Sequence, residues 1–343
     1  MSYDLTNATT LTETINKNLP RKPWIFRKFF GTKFYDTTQI AIDIVKGTKK
    51  LAPFRREGEE SSVKNSIQVE TKLFGPNQIS MKNLTKAFDE KKRAPGMQFS
   101  SAYGVKTVEG RIKFKLTQEQ IDLTNLIYGT IEKMCADAIF DGVVKNYDAK
   151  GNVIDSFDMG IPDGHVITLT GDDRWNQNGA KILDNIDAYC DLVEDDSALP
   201  ATDVILGANA KKSLLTNELV LKQLSVNKSQ FALIDPIKKD VGGKFIGYTS
   251  TGVRLWQCTE TYEDSEGHKQ NYVKDDYIAV LSDQFDANVH FGLIEDLKAG
   301  AFEGEIFSKV WDEEDPSGTW LKCASAPLAY VSRSDALVVV KVQ

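Results

Sequence analysis

The chain has 343 residues, 41% of them hydrophobic and 27% charged, enough for one large or two medium globular domains with hydrophobic cores. No run of about 18 apolar residues occurs, which excludes a helical membrane span, and Met1-Ser2-Tyr3-Asp4 lacks the pattern of a secretory signal, so a cytoplasmic product is expected. A formal net charge of −7 speaks against a protein whose main task is to grip nucleic acid.

Residues 1–20 are polar, rich in Thr and Asn, and read as a flexible or partner-dependent arm. Arg21 to Phe30 follows, with Trp24, Ile25, Phe26, Phe29 and Phe30 set among cations. Two readings stand for this cluster: it joins the chain's own core, or it docks on another copy of the chain. Ile40, Ile42 and Ile44 alternate with Ala41, Asp43 and Val45, and Ile67, Val69, Thr71 and Leu73 repeat with the same period of two. The charged stretch Arg55-Arg56-Glu57-Gly58-Glu59-Glu60 lies between these two runs, as expected for the polar tip of a projecting hairpin. Solvation accounts for such a tip, and its mixed charge would also complement a neighbouring subunit.

The strongest helical pattern covers 117–145. Thr117 and Gln120 fit a capping box, and Leu123, Ile127, Ile131, Met134 and Ala138 fall on one face. Tyr128, Cys135 and Ile139 widen that apolar stripe, and Gly142 weakens its last turn. Asp148-Ala149-Lys150-Gly151-Asn152 is a turn signal before Val153, Ile154 and Phe157, which predicts a hairpin. Beyond about 160 the elements shorten and alternate. A helix is expected over 178–194, a strand at Asp203–Leu206, and a helix capped by Asn209 that carries Leu214 and Leu215. Further strands are expected at Phe245–Tyr248, Val253–Trp256 and Tyr277–Leu281, and a buried one at Leu337–Val340. The whole is an α+β chain.

Chemistry-bearing residues do not cluster. Cys135, Cys190, Cys258 and Cys323 stand singly and read as small buried hydrophobes. His165, His268 and His290 share no metal-ligand spacing. Gly242-Gly243-Lys244-Phe245 lacks the first glycine and the hydroxyl of a phosphate-binding loop, and reads as a turn. The acidic pairs Asp172-Asp173, Asp275-Asp276 and Asp312 to Asp315, with Glu194-Asp195-Asp196, read as solvated faces. No catalytic, metal or cofactor-binding residue is nominated, and an enzyme is not expected.

Taken in order, these parts resemble the Hong Kong 97-type capsid fold, and more closely the lambda-type major capsid proteins of tailed phages. Trp24 to Phe30 resembles that family's aromatic N-terminal segment. Phe157-Asp158-Met159-Gly160 resembles the close of its hairpin, and Val241 to Tyr248 its turn before the axial strands. Ser325-Ala326-Pro327-Leu328, followed by Asp335 and the Val-rich end, is similar to its C-terminus. The resemblance implies an N-terminal arm (1–37), an extended β-hairpin loop (38–80) and a peripheral domain (81–160) with spine helix 117–145. It further implies an axial α/β domain (161–310) and C-terminal strands returning to the peripheral domain (311–343). It implies subunit contacts at Trp24, Phe26, Phe29, Phe30, Arg55, Arg56, Glu57, Glu59 and Glu60. The function so implied is an icosahedral shell of pentamers and hexamers that forms in the host cytoplasm with scaffold and portal proteins. Such a shell expands as double-stranded DNA enters, and its acidic subunits touch that DNA non-specifically. Lambda-type shells carry a separate decoration protein instead of Lys–Asn crosslinks, and the residues leave both options open. An encapsulin-like compartment shell or another phage assembly protein is the alternative.

Overall fold

The computed structural model describes residues 25–45, 69–86, 108–148, 150–177, 179–221, 239–240, 243–249, 251–264, 266–297, 300–315 and 318–343. Trp24 and the hairpin tip with Arg55, Arg56, Glu57, Glu59 and Glu60 lie outside them. A 3-10 turn at Phe26–Lys28 leads to strand β1 (Gly31–Phe34). Strands β2 (Ile40–Val45) and β3 (Val69–Phe74) pair antiparallel, from Ile40 opposite Phe74 to Val45 opposite Val69. The period-two pattern explains the pairing, since Ile40 and Ile42 are buried and Ala41 between them is exposed. Strand β4 (Ile79–Lys86) follows.

The long helix α1 runs over Val108–Phe140, so it starts well before the expected Thr117 and stops short of 145. Val108, Ile112 and Leu116 continue the i, i+4 apolar series backwards, and this periodicity outweighs the capping-box signal. Thr117 and Gln120 are therefore interior helical residues, and the Gln120 amide donates to the Ser308 hydroxyl at 3.3 Å. Gly142 stops the helix with a φ of +64°, and a Cβ there would lie 2.8 Å from Ile161 Cδ1. Strands β5 (Val143–Tyr147) and β6 (Val153–Asp158) form the expected hairpin. Its turn is held by the Asp148 carboxylate, which accepts the N–H groups of Lys150 and Asn152, each at 2.8 Å.

The second half is built on a seven-stranded mixed sheet. Its members are β7 (Val166–Thr168), β8 (Asp203–Leu206), β9 (Lys239–Asp240), β10 (Gly243–Tyr248), β11 (Arg254–Cys258), β14 (Tyr277–Leu281) and β21 (Leu337–Lys341), in the order β7-β21-β14-β8-β11-β10-β9. Its central strands are apolar without alternation because both faces are covered. Val204, Leu206, Ile278, Val280, Val338 and Val340 join one core with residues of helices α2 (Ile182–Ser197) and α3 (Ala208–Thr216). The alternate residues Ile205, Ala279, Leu281, Leu337 and Val339 join the other core, with α1. Asn209 does not cap α3. Gly207 holds that position, where a Cβ would lie 2.4 Å from the Lys274 carbonyl oxygen, and the Asn209 amide donates to Asp276 at 2.8 Å.

Strands β12 (Thr261–Glu263) and β13 (Lys269–Asn271) form a small hairpin, as do β16 (Ile294–Asp296) and β17 (Gly300–Phe302). Strand β15 (Ala287–Phe291) lies between β1, parallel to it, and the antiparallel β20 (Pro327–Val331). Strands β18 (Phe307–Glu313) and β19 (Gly318–Ser325) complete an antiparallel sheet with β4. The last thirty-odd residues thus divide between layers: β19 and β20 pack on α1, and β21 enters the seven-stranded sheet.

Candidate assembly site

The segment Ile25–Phe30 is tied down by groups from three different parts of the fold. A 3-10 turn begins with N–H groups that have no partner within the turn. Here those of Phe26 and Arg27 donate to the two carboxylate oxygens of Glu132, at 2.7 and 3.0 Å. Glu132 lies on α1 and is 1% exposed, and burial pushes its carboxyl up to about 8 in spite of these two bonds. Phe26 packs edge-on against Phe140, and Phe30 against Phe285, with ring centroids 6.0 Å apart in each pair. Arg27 donates to the carbonyls of Phe30 and Gly31 at 3.0 Å and lies 3.6 Å from Glu305. Glu305, itself buried, also accepts the Tyr128 hydroxyl at 2.9 Å. The Lys28 ammonium sits 4.1 Å from the Trp256 ring centroid. Gly243, from the Gly-Gly-Lys stretch, is small for a local reason: a Cβ there would lie 2.4 Å from Ile25 Cδ1.

Of the two readings of this cluster, the single chain shows the first for Phe26 and Phe30, which pack into its own core. Both rings are buried in the chain's own core, at 0% and 5% exposure, and offer a neighbour no surface in this conformation. Phe29 is half-buried against the same core and keeps some surface. Sequence reasoning missed Glu132, and a signal was available. It falls in the second apolar row of α1, between Tyr128 and Cys135, where a charge requires a partner.

The other chemistry-bearing residues are dispersed. All four cysteines are buried free thiols. Burial pushes Cys190 and Cys258 up to about 12, so neither is a nucleophile at neutral pH. His165 bonds the Leu337 carbonyl at 2.8 Å and Asp196 at 2.7 Å. His290 meets the Tyr35 hydroxyl at 2.9 Å, and burial lowers its pKa to about 4. His268 is exposed on the β12–β13 hairpin. Among the described residues no three His, Cys, Asp or Glu side chains are grouped to hold a metal ion, and no helix is long and apolar enough to cross a membrane. An open polar cleft of about 580 Å³ lies between Trp175, Lys212, Asn217 and Gln343.

The chain thus places a long helix under a three-stranded sheet, joined to a two-faced mixed sheet. Over 98% of this chain and 99% of the other, it superposes with a TM-score of 0.75 on a protein assigned as the capsid protein of a prophage in E. coli CFT073, at 17% identity. The capsid structure of cyanophage P-SCSP1u gives a TM-score of 0.56 at 12% identity, over 94% and 89% of the two chains. A phage-related protein from Bordetella bronchiseptica RB50 gives 0.57 at 10% identity, over 96% of each. At such identities the likeness shows the fold, which is of the Hong Kong 97 type. A search of curated proteins finds no match. The profile of phage major capsid protein E matches residues 7–342, and the chain belongs to that family of self-assembling capsid subunits.

Proposed function

We propose that copies of this chain close into the icosahedral head of a tailed phage, as pentamers and hexamers, and that the shell expands as double-stranded DNA is packaged. The observation that carries this reading is the family match over residues 7–342, together with the superposition on a prophage capsid protein over 98% of the chain. Assembly in the host cytoplasm around scaffold and portal proteins belongs to the same reading, as does non-specific contact with DNA. A role without catalysis is consistent with the dispersal of the buried thiols and imidazoles. In this account Phe26 and Phe30 act indirectly, by fixing the direction in which residues before Ile25 leave the body. Phe29, Trp24 and the tip residues Arg55, Arg56, Glu57, Glu59 and Glu60 are the proposed contacts with neighbouring copies. The rigid tie of Ile25–Phe30 to α1 supports this division, because an arm can grip a neighbour only if its root is held. Electron microscopy of the chain co-expressed with the scaffold and portal genes of its own phage tests the proposal. Closed icosahedral particles are expected, and open sheets or tubes under every condition would overturn it.

A further inference from the structure

The outer face of the β4–β18–β19 sheet carries a charge pattern that the fold itself uses only in part. The inner face lies on α1: Leu321 and Cys323 are buried there, Ser308 bonds Gln120 and Thr85 bonds Glu119. Side chains alternate along a strand, so Lys309, Trp311 and Glu313 of β18 point to the opposite side, with Trp320 and Lys322 of β19 and Lys82 and Leu84 of β4. The register sets these in rows across the strands. Trp311 pairs with Trp320 and that with Leu84, and Lys309 pairs with Lys322 and that with Lys82. From the β18–β19 turn inward the face therefore reads as a net acidic end, where Glu313, Glu314 and Asp315 outnumber Lys86 at its register position beside Gly318, then indoles, then three ammoniums. At roughly 3.4 Å per residue, the Glu313 and Lys309 rows are about 14 Å apart.

Like charges directly opposite on neighbouring strands destabilise a sheet. Only part of that cost is offset within the chain. Lys309 is paired with Asp296 at 2.7 Å, and the Lys82 ammonium lies 4.6 Å from the Trp320 ring centroid. Among the described residues, Lys322 has no carboxylate within 4.0 Å, and Glu313, Glu314 and Asp315 have no cation within that distance. The two tryptophans stack at 6.1 Å and are half-buried, and Lys82, Glu314 and Asp315 are exposed.

We propose that this face is a docking surface for a second copy of the chain, related by a two-fold axis through the tryptophan row. The order negative, aromatic, positive is its own complement under that rotation. Each lysine row then meets the partner's carboxylates, and the indoles meet at the centre, where interfaces concentrate aromatic residues. A nucleic acid would meet the carboxylates of the same face and be repelled. The inference rests on the reading that the chain assembles with itself.

The test uses two variants of the full chain, chosen to spare the Lys309–Asp296 pair and the Glu313–Trp320 hydrogen bond. K82E/K322E and E314K/D315K each set like charges together in a homotypic contact. Each alone should reduce particle yield by about tenfold or more at low salt, with an unchanged circular dichroism spectrum. An equal mixture should recover yield, because every reversed row then faces its opposite in the partner. Wild-type particles assembled from isotope-labelled and unlabelled chains supply a second measurement that no misfolded variant can confound. Zero-length carbodiimide crosslinks should join Lys82 or Lys322 of one chain to Glu314 or Asp315 of another. Variants that assemble like the wild type, a mixture that stays inactive, or particles without such crosslinks would overturn the proposal and leave the shell reading intact. Failure of the wild-type chain to form particles at all would sink both.

Discussion

Replacing Glu132 by alanine removes both acceptors that hold the root of the N-terminal segment on α1. The orphaned donors are the N–H of Phe26, in a residue with no exposure, and that of the half-buried Arg27. An unsatisfied buried donor costs about 1–3 kcal/mol, so E132A should weaken the tie by about 2–5 kcal/mol. Amide hydrogen exchange reads this directly: protection at Phe26 and Arg27 should fall by roughly 30-fold or more, since about 1.4 kcal/mol is tenfold. The pH dependence has a defined sign. Burial is the largest influence on this carboxyl, Glu260 adds to it, and Arg27 and the two N–H bonds oppose it, with a net rise from 4.5 to about 8. A carboxyl raised on folding stabilises the fold fully below about 4.5, and that contribution is lost as pH rises through about 8. E132Q keeps one acceptor oxygen and sets its NH2 donor against the other N–H, so it should be less protected than the wild type near pH 5, and its protection should not change between pH 5 and pH 9 beyond the intrinsic exchange rate. Unchanged protection at Phe26 and Arg27 in E132A, or a wild-type tie that tightens between pH 5 and pH 9, would refute this reasoning.

Other expectations follow from the same contacts. Asp203 is fully buried and accepts the Arg254 guanidinium at 2.6 Å and the Trp256 indole at 2.7 Å, so D203A, which orphans the buried indole N–H and leaves the partly exposed Arg254 with Asp283, should lower stability by about 1–3 kcal/mol in urea unfolding. G243A forces Ile25 out of its seat, and a loss of about 1–3 kcal/mol with faster exchange at Phe26 is expected. Removing residues 1–24 should leave a folded chain that assembles poorly by negative-stain microscopy. Removing 1–30 should also expose the faces of Phe140 and Phe285, read as increased binding of a hydrophobic dye.

Where a residue pattern reports burial directly, the fold was legible. The alternation at Ile40–Val45 and the unbroken apolar runs at Asp203–Leu206, Tyr277–Leu281 and Leu337–Val340 all became strands, because side-chain period and burial are the same fact. Element ends were less legible. Thr117 with Gln120 looks like a helix start, and only the apolar positions before it reveal that the helix is already under way. Asn209 is a good cap by type, but the close approach of the Lys274 carbonyl reserves that place for Gly207, a long-range effect that no local rule contains. The aromatic segment was legible as needing cover and not as to whose. Choosing the chain's own core depends on Glu132, more than a hundred residues away, reaching its first two amides.

Sedimentation velocity of the purified chain, with its scaffold and across protein concentration and salt, tests the shell reading most directly. Megadalton particles of narrow distribution are predicted, built from 38.2 kDa subunits. A single boundary at the mass of one chain under every assembly condition would contradict it.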